Sequence, residues 1–244
     1  MPRFYLDADL AIGTALTLPE GVARHVQVLR MQPGEAITLF NGRGGEYQAT
    51  ITAMGKRNVD VTLDAFDAAD RESPFEITLI QSVSASERMD YTIQKATELG
   101  VARIVPVYSQ YCQQRLSGER AEKRLTHWQA VAQAACEQCE RTRVPEIAPV
   151  IALDKLLASP PADLKTADLK LLLSPVGAIR AGGLPLEAKS AAVLVGPEGG
   201  LSETEEAAAR AAGFTPLILG PRILRTETAG PAIAAILQAR YGDY

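Results

Sequence analysis

An α/β domain preceded by a smaller β-rich domain is the fold the sequence predicts, on three observations. Beyond residue 75, near-continuous apolar runs recur between stretches of helical period: "FEITLIQSV" (75–83), "ARIVPVY" (102–108), "LKLLLS" (169–174), "AAVLVG" (191–196) and "TPLILG" (215–220). Such runs suit strands buried on both faces of a mostly parallel sheet with helices packed against it. Before residue 70 the runs are short, alternate in polarity and are bounded by turn residues, as in antiparallel sheets. Between the two regimes, "DAADRESP" (67–74) is polar and ends in proline, so it reads as the linker. The expected domains are therefore 1–70 and 71–244.

The elements follow in order. "EAITLF" (35–40) and "EYQATI" (46–51) flank "NGRGG" (41–45), a hairpin signal with Asn-Gly at its start, and "NVDVTLDAF" (58–66) supplies another strand. Between Pro19 and Met31, Val22, Val26 and Leu29 recur like one helix face, with His25 as a surface or packing residue. "SASERMDYTIQKATELG" (84–100) places Met89, Ile93, Ala96 and Leu99 on one side of a helix that Gly100 stops. "AEKRLTHWQAVAQAACEQCE" (121–140) reads as a long helix. Near the end, Ser202 is a good N-cap, Glu205 completes a capping box, and Gly213 terminates that helix.

Composition narrows the function classes. With 244 residues and 47% apolar content, the chain can bury a full core. No run approaches the ~18 apolar residues of a membrane span. Asp7 and Asp9 stand where a signal peptide would be apolar, so a cytoplasmic protein is expected. Cys112, Cys136 and Cys139 form no disulfide framework. The CxxC of Cys136 and Cys139 lacks two further ligands at zinc spacing, His25 and His127 being the chain's histidines, so no metal is expected. Net charge is −4. Basic residues nevertheless cluster at Arg115, Arg120, Lys123 and Arg124, and again at Arg141 and Arg143, which leaves open either a local anion-binding surface or a solvated helix face.

The most informative stretch is "LVGPEGGLSETE" (194–205), where an apolar strand stops at Gly196-Pro197-Glu198-Gly199-Gly200 and turns into an acidic helix. It matches neither GxGxxG nor a Walker motif. Glu203, Glu205 and Glu206 in the first helical turn occupy the place of a phosphate and would repel one. A neutral or cationic ligand against bare backbone suits the turn better; a tight turn without a ligand is the alternative. The next strand also ends in a glycine-proline break, "LGPRILRTETAGPAIAAIL" (219–237), and Ser174-Pro175 after "KLLL" offers a third loop. The carboxyl ends of strands in open α/β sheets are where ligands lie.

With "ERMDYTIQKATELGVARIVPV" (87–107), "HWQAVAQAACEQCERTRVPEI" (127–147) and "RHVQVLRMQPGEAITLFNGRGGEY" (24–47), these two signatures make the chain resemble the RsmE family, the 16S ribosomal RNA uridine-N3 methyltransferases of the SPOUT class, over almost its whole length. The resemblance implies a PUA-like, RNA-binding β-barrel domain followed by a SPOUT α/β domain with a C-terminal trefoil knot. It implies S-adenosylmethionine as cofactor, a homodimer, and 16S rRNA of the small subunit as substrate. The cofactor loops carried over by motif are Leu173, Ser174 and Pro175; Gly196, Pro197, Glu198, Gly199 and Gly200; and Leu219, Gly220, Ile223, Leu224, Arg225 and Thr226. The chain departs from the family in having Ser84-Ala85-Ser86-Glu87 before Arg88-Met89-Asp90, without the usual lysine. It also has Gly230-Pro231 after Thr-Glu-Thr-Ala. Proline favours the first helical position, so the last helix is expected to begin near Pro231.

Methyl transfer from a sulfonium needs an in-line nucleophile and little covalent help, so positioning should supply most of the rate. Uridine N3 must lose its proton, leaving negative charge on the carbonyl oxygens. Arg225 is the candidate to stabilise that charge, unless it is spent on a salt bridge to Glu198 or Glu227; either of those carboxylates is a candidate proton acceptor. Arg24, Arg30, Arg88, Arg115, Arg120, Lys123, Arg124, Arg141 and Arg143 are the candidates for RNA contact. A catalytically silent RNA-binding factor, or a tRNA or ribose acceptor, are the competing readings.

Overall fold

The structure, a computed structural model, describes residues 1–115, 117–176 and 178–244. The chain divides into two compact units, Met1–Glu72 with Gln133–Val144, and Ser73–Ala132 with Pro145–Tyr244.

In the first unit β1 (Arg3–Tyr5), β2 (Ala15–Thr17), α1 (Glu20–Val28), β3 (Ala36–Phe40), β4 (Glu46–Met54) and β5 (Val59–Asp67) form a five-stranded sheet ordered β1-β3-β4-β5-β2 with one helix. The β3–β4 hairpin forms at the expected glycine turn. Gly45 there has φ +70, and a Cβ on it would strike the Phe66 ring. Phe4, Ile37, Leu39, Ile51, Val61 and Leu63 fill the core under Ala23 and Val26 of α1. Leu29, expected on that helix face, is 48% exposed. The helix ends one residue earlier, and Arg30 turns the chain away with φ 58. His25 sits at the surface, edge-on to Phe4 at 5.2 Å.

Residues 133–144 belong to this unit through specific bonds. The Arg3 guanidinium donates to the carbonyl of Arg141 (3.1 Å), and the Tyr5 N–H donates to Glu137 (2.8 Å). Arg3 also pairs with the buried Glu46.

The second unit is built on an eight-stranded, wholly parallel sheet. Its elements are β6 (Glu76–Ser82), α2 (Ser86–Glu98), β7 (Arg103–Tyr108), α3 (Glu119–Cys139, entering the first unit at residue 133), β8 (Glu146–Ile147), β9 (Ile151–Ala152), α4 (Leu153–Ala158), α5 (Ala162–Thr166), β10 (Leu169–Leu173), β11 (Ile179–Arg180), β12 (Ser190–Val195), α6 (Glu203–Ala211), β13 (Thr215–Ile218) and α7 (Thr226–Tyr241). The strand order is β11-β13-β10-β12-β6-β7-β8, with β9 also on β7. The long apolar runs become the central strands, buried as their composition demands. Ile80, Val105, Leu172 and Leu194 pack under Leu153, Leu156 and Ala209, and α2 packs against α7.

The last helix corrects the sequence reading. It begins at Thr226, with Pro231 inside it. The N–H groups of Thr228 and Ala229 both donate to the carbonyl of Arg225 (2.9 Å each), closing a full turn before the proline. Burial of Thr226 and Gly230 holds that turn. A Cβ on Gly230 would come within 3.3 Å of Gln81. Tertiary packing outweighs the missing proline N–H, which costs one intrahelical bond.

Candidate functional site

Because β10 pairs with both β12 and β13, the loops leaving the carboxyl ends of these three strands meet. Between them lies a cavity of about 660 Å³, within the range of small-molecule sites. Leu173, Ser174 and Pro175 line it from the first loop, and Gly196, Pro197, Glu198, Gly199 and Gly200 from the second. Leu219, Gly220, Ile223, Leu224, Arg225 and Thr226 line it from the third. The structure thus brings together all the residues carried over as cofactor loops. Two glycines make the close approach possible. A Cβ on Gly196 would sit 3.3 Å from Gly200 and Leu201, and Gly200 holds φ +73.

A buried hydrogen-bond chain ties the loops to the sheet. Gln81, fully buried on β6, donates through Nε2 to Thr226 Oγ1 (2.9 Å), and Thr226 Oγ1 donates to the carbonyl of Gly196 (2.7 Å). Gln81 was not identified from the sequence, although a lone amide within the apolar run "FEITLIQSV" was a signal that a buried polar partner had to exist. On the α6 side the expected capping box is formed. Ser202 Oγ accepts from the Glu205 N–H, and the Glu205 carboxylate accepts from the Ser202 N–H. Ser174 Oγ donates to Glu206 (3.0 Å).

The charges in the cavity leave Arg225 available, as its expected role requires, and draw in Arg88, which the sequence offered only as an RNA contact. Arg225 is exposed and makes no ion pair among the described residues. The arginine that engages the two carboxylates is Arg88, on the first turn of α2. Its Nη1 lies 2.8 Å from Glu198 Oε1, and its Nε 3.8 Å from Glu227 Oε1. Arg88 therefore lines the cavity as part of this cluster. Partial burial works to raise the Glu198 pKa. Hydrogen bonds from its own N–H, from the Ala85 N–H and from Arg88 outweigh burial, so the carboxyl lies below its ordinary value and stays ionised. The second oxygens, Oε2 of Glu198 and Oε2 of Glu227, are buried without a hydrogen-bond partner among the described residues.

The remaining basic candidates fall on both units. Arg24 and Arg30 are exposed in the first unit, and Arg143 is exposed there against the glycine turn. Arg115, Arg120 and Lys123 are exposed in the second, Lys123 pairing with Glu119, and Arg124 is half-buried. Arg141 does not fit the expectation of an RNA contact. Its side chain is buried and bound to Glu72 (2.5 Å), because it fastens residues 133–144 to the linker end. Cys136 is buried, and burial pushes its thiol up to about 12, far from a thiolate ligand or nucleophile. Among the described residues no group of three or more His, Cys, Asp or Glu could hold a metal ion, and no helix is long and apolar enough to cross a membrane.

Residues 71–238 match the RNA methyltransferase domain, and residues 18–64 match the RNA methyltransferase PUA domain. The chain is 32% identical over 247 residues to the ribosomal RNA small subunit methyltransferase E of Buchnera aphidicola, spanning 100% of this chain and 98% of the relative. It is similar to the crystal structure of a ribosomal RNA small subunit methyltransferase E from Neisseria gonorrhoeae bound to S-adenosyl methionine. That match has 44% identity and a TM-score of 0.93 over 100% of this chain and 99% of the other. A Legionella pneumophila structure with bound cofactor SAM matches at 38% identity and a TM-score of 0.94, covering 99% of this chain and 98% of the other.

Proposed function

The chain belongs to the ribosomal RNA small subunit methyltransferase E family, and on that premise we propose that it transfers a methyl group from S-adenosylmethionine to N3 of a uridine in 16S rRNA. The observation that carries the reading is the single cavity formed by all three motif loops at one edge of the parallel sheet. The residues fit the cofactor. Gly196 bares the backbone where a side chain would crowd Gly200 and Leu201, and Gly200 supplies the positive φ of the turn. Buried carboxylate oxygens of Glu198 and Glu227 lack hydrogen-bond partners among the described residues. The α6 N-terminus is already satisfied by its own capping box, which leaves no cradle for a phosphate. When bound, S-adenosylmethionine supplies an activated methyl group on a cationic sulfur.

The chain's own residues divide the remaining work. Arg225, at the cavity wall and free of ion pairs among the described residues, donates hydrogen bonds to the pyrimidine oxygens as they become negative. Glu198 is a weak base, because Arg88 and two backbone N–H groups already stabilise its charge. The proton of N3 therefore goes to Glu227, whose Oε2 has no hydrogen-bond partner among the described residues. Arg88, placed between the two carboxylates, holds Glu198 in position and charged.

Residues 1–70 act as the PUA-like RNA-binding domain and 71–244 as the SPOUT methyltransferase domain, which lends residues 133–144 to the first compact unit. A trefoil knot is supported by the strand order. β13 inserts between β10 and β11, beside the segment that runs from β10 out to β11 and back to β12. The chain then returns as α7 to α2, β6 and β12. The protein works as a homodimer in the cytoplasm; the exposed apolar side chains of Val176 and Ile223 at the cavity loops support the pairing. Exposed Arg24, Arg30, Arg115, Arg120, Lys123 and Arg143, with half-buried Arg124, contact RNA phosphates.

Nucleoside mass spectrometry of a strain lacking the gene tests the reading. Small-subunit RNA should lose 3-methyluridine; an unchanged nucleoside profile would refute it. Arg225→Ala should lower turnover by roughly 10²–10³, the scale of losing one charge-stabilising donor, with melting temperature preserved.

A further inference from the structure

β7 ends at Tyr108, and the residues after it form a tight, well-anchored turn. The Cys112 N–H donates to the Ser109 carbonyl (3.2 Å), and the Ser109 N–H to Cys112 Sγ (3.4 Å). The Gln110 N–H donates to Glu205 Oε1 (2.7 Å), which fastens the turn to the capping box of α6. Tyr111 stands at the tip. It is 48% exposed, and a Cβ on Gly199 would come within 3.0 Å of the Tyr111 Cβ. Gly199 lines the cavity, so the root of an exposed aromatic rests directly on the wall of the proposed methyl-donor site.

Other exposed aromatics of this unit are otherwise placed. Tyr91 lies under the Lys95 ammonium at 5.9 Å, and Tyr244 is the chain end. The Tyr111 hydroxyl makes no hydrogen bond among the described residues, so neither a polar partner nor burial accounts for the ring. The residues that follow, Gln113, Gln114 and Arg115, are all exposed. A bare aromatic face with amide and guanidinium neighbours is the chemistry by which proteins hold unstacked RNA bases. A uridine must leave its stack to present N3 to a cavity in the protein.

We infer that Tyr111 is a stacking platform for an unpaired base of the RNA substrate at the mouth of the cavity. The inference rests on the methyltransferase reading for the identity of the RNA. The anchored turn fixes the backbone and the root of the side chain before RNA arrives, so that stacking need order only the ring.

The test measures affinity for unmethylated small-subunit RNA by filter binding with wild type, Tyr111→Phe and Tyr111→Leu. Phenylalanine should bind within about twofold of wild type. Leucine keeps the packing on Gly199 but removes the π-face, and should weaken binding by roughly 5- to 150-fold, the range of one lost stacking contact. Its affinity for S-adenosylmethionine and its melting temperature should not change. Leucine binding RNA as wild type does would overturn the inference. So would a loss of RNA affinity accompanied by weakened cofactor binding, or by altered sedimentation showing that Tyr111 belongs to a contact between copies. Methylation by the wild type, scored in parallel, bears on the enzymatic reading alone. RNA affinity decides the platform even if no methyl group is transferred.

Discussion

At the scale of single residues, the cavity depends on side chains that do no chemistry. Thr226 Oγ1 both accepts from Gln81 and donates to the Gly196 carbonyl. Thr226→Val keeps the shape and leaves the buried Gln81 amide and the partly buried Gly196 carbonyl without that partner, at a cost of about 1–3 kcal/mol. Melting should fall by roughly 3–10 °C for a chain of this size, and calorimetry should show weaker binding of S-adenosylmethionine. An unchanged melting temperature would show that the Gly196 loop does not need this tether. Arg88 teaches the complementary lesson. Its positive charge was legible in the sequence, but not its partners, because Glu198 and Glu227 lie more than a hundred residues away and only the sheet brings them near. The same distance hid Gln81, whereas the glycine-rich loops announced themselves by composition.

At the scale of elements, alternation and apolar runs marked the central strands, since burial on both faces leaves a pattern in consecutive residues. The edge pieces β8, β9 and β11 carry two residues each, too few for any period to register. The start of α7 was misplaced for a related reason. A local rule about proline met a buried Gly230 and a tethered Thr226, and the contacts prevailed. The hairpin strand β4 is tied to β1 by the buried pair of Arg3 with Glu46, which Arg71 also joins (3.1 Å). Burial works to raise the Glu46 pKa, but hydrogen bonds and charge from Arg71 and Arg3 outweigh it, and the net shift is downward. A depressed folded pKa means stability that is present above the unfolded value, near ~4.3, and lost as pH falls through the folded value. Glu46→Gln should therefore cost about 3–5 kcal/mol at pH 7, as for a broken buried pair. Its stability gap to the wild type should narrow as pH falls from the unfolded value, near ~4.3, through the depressed folded value. A gap that persisted undiminished in acid would mean that packing, not charge, holds Glu46.

At the scale of the molecule, a net charge of −4 says little about the exposed basic residues proposed to hold RNA, because total charge does not describe its distribution. Arg115, Arg120 and Lys123 are exposed within nine positions of one another. Replacing all three by alanine should lower the slope of log affinity against log salt by about 2–3, through the counterions they no longer release. The cofactor affinity should be untouched, and an unaltered slope would place the phosphate contacts elsewhere. The first unit is also not a single stretch of sequence. Its compact body includes residues 133–144, held through Arg3, Tyr5 and Glu72 to Arg141 and Glu137. Anyone exchanging this unit between relatives must therefore make two joins rather than one. A transplant cut only at the linker would carry Glu72 into its new host and leave its arginine behind.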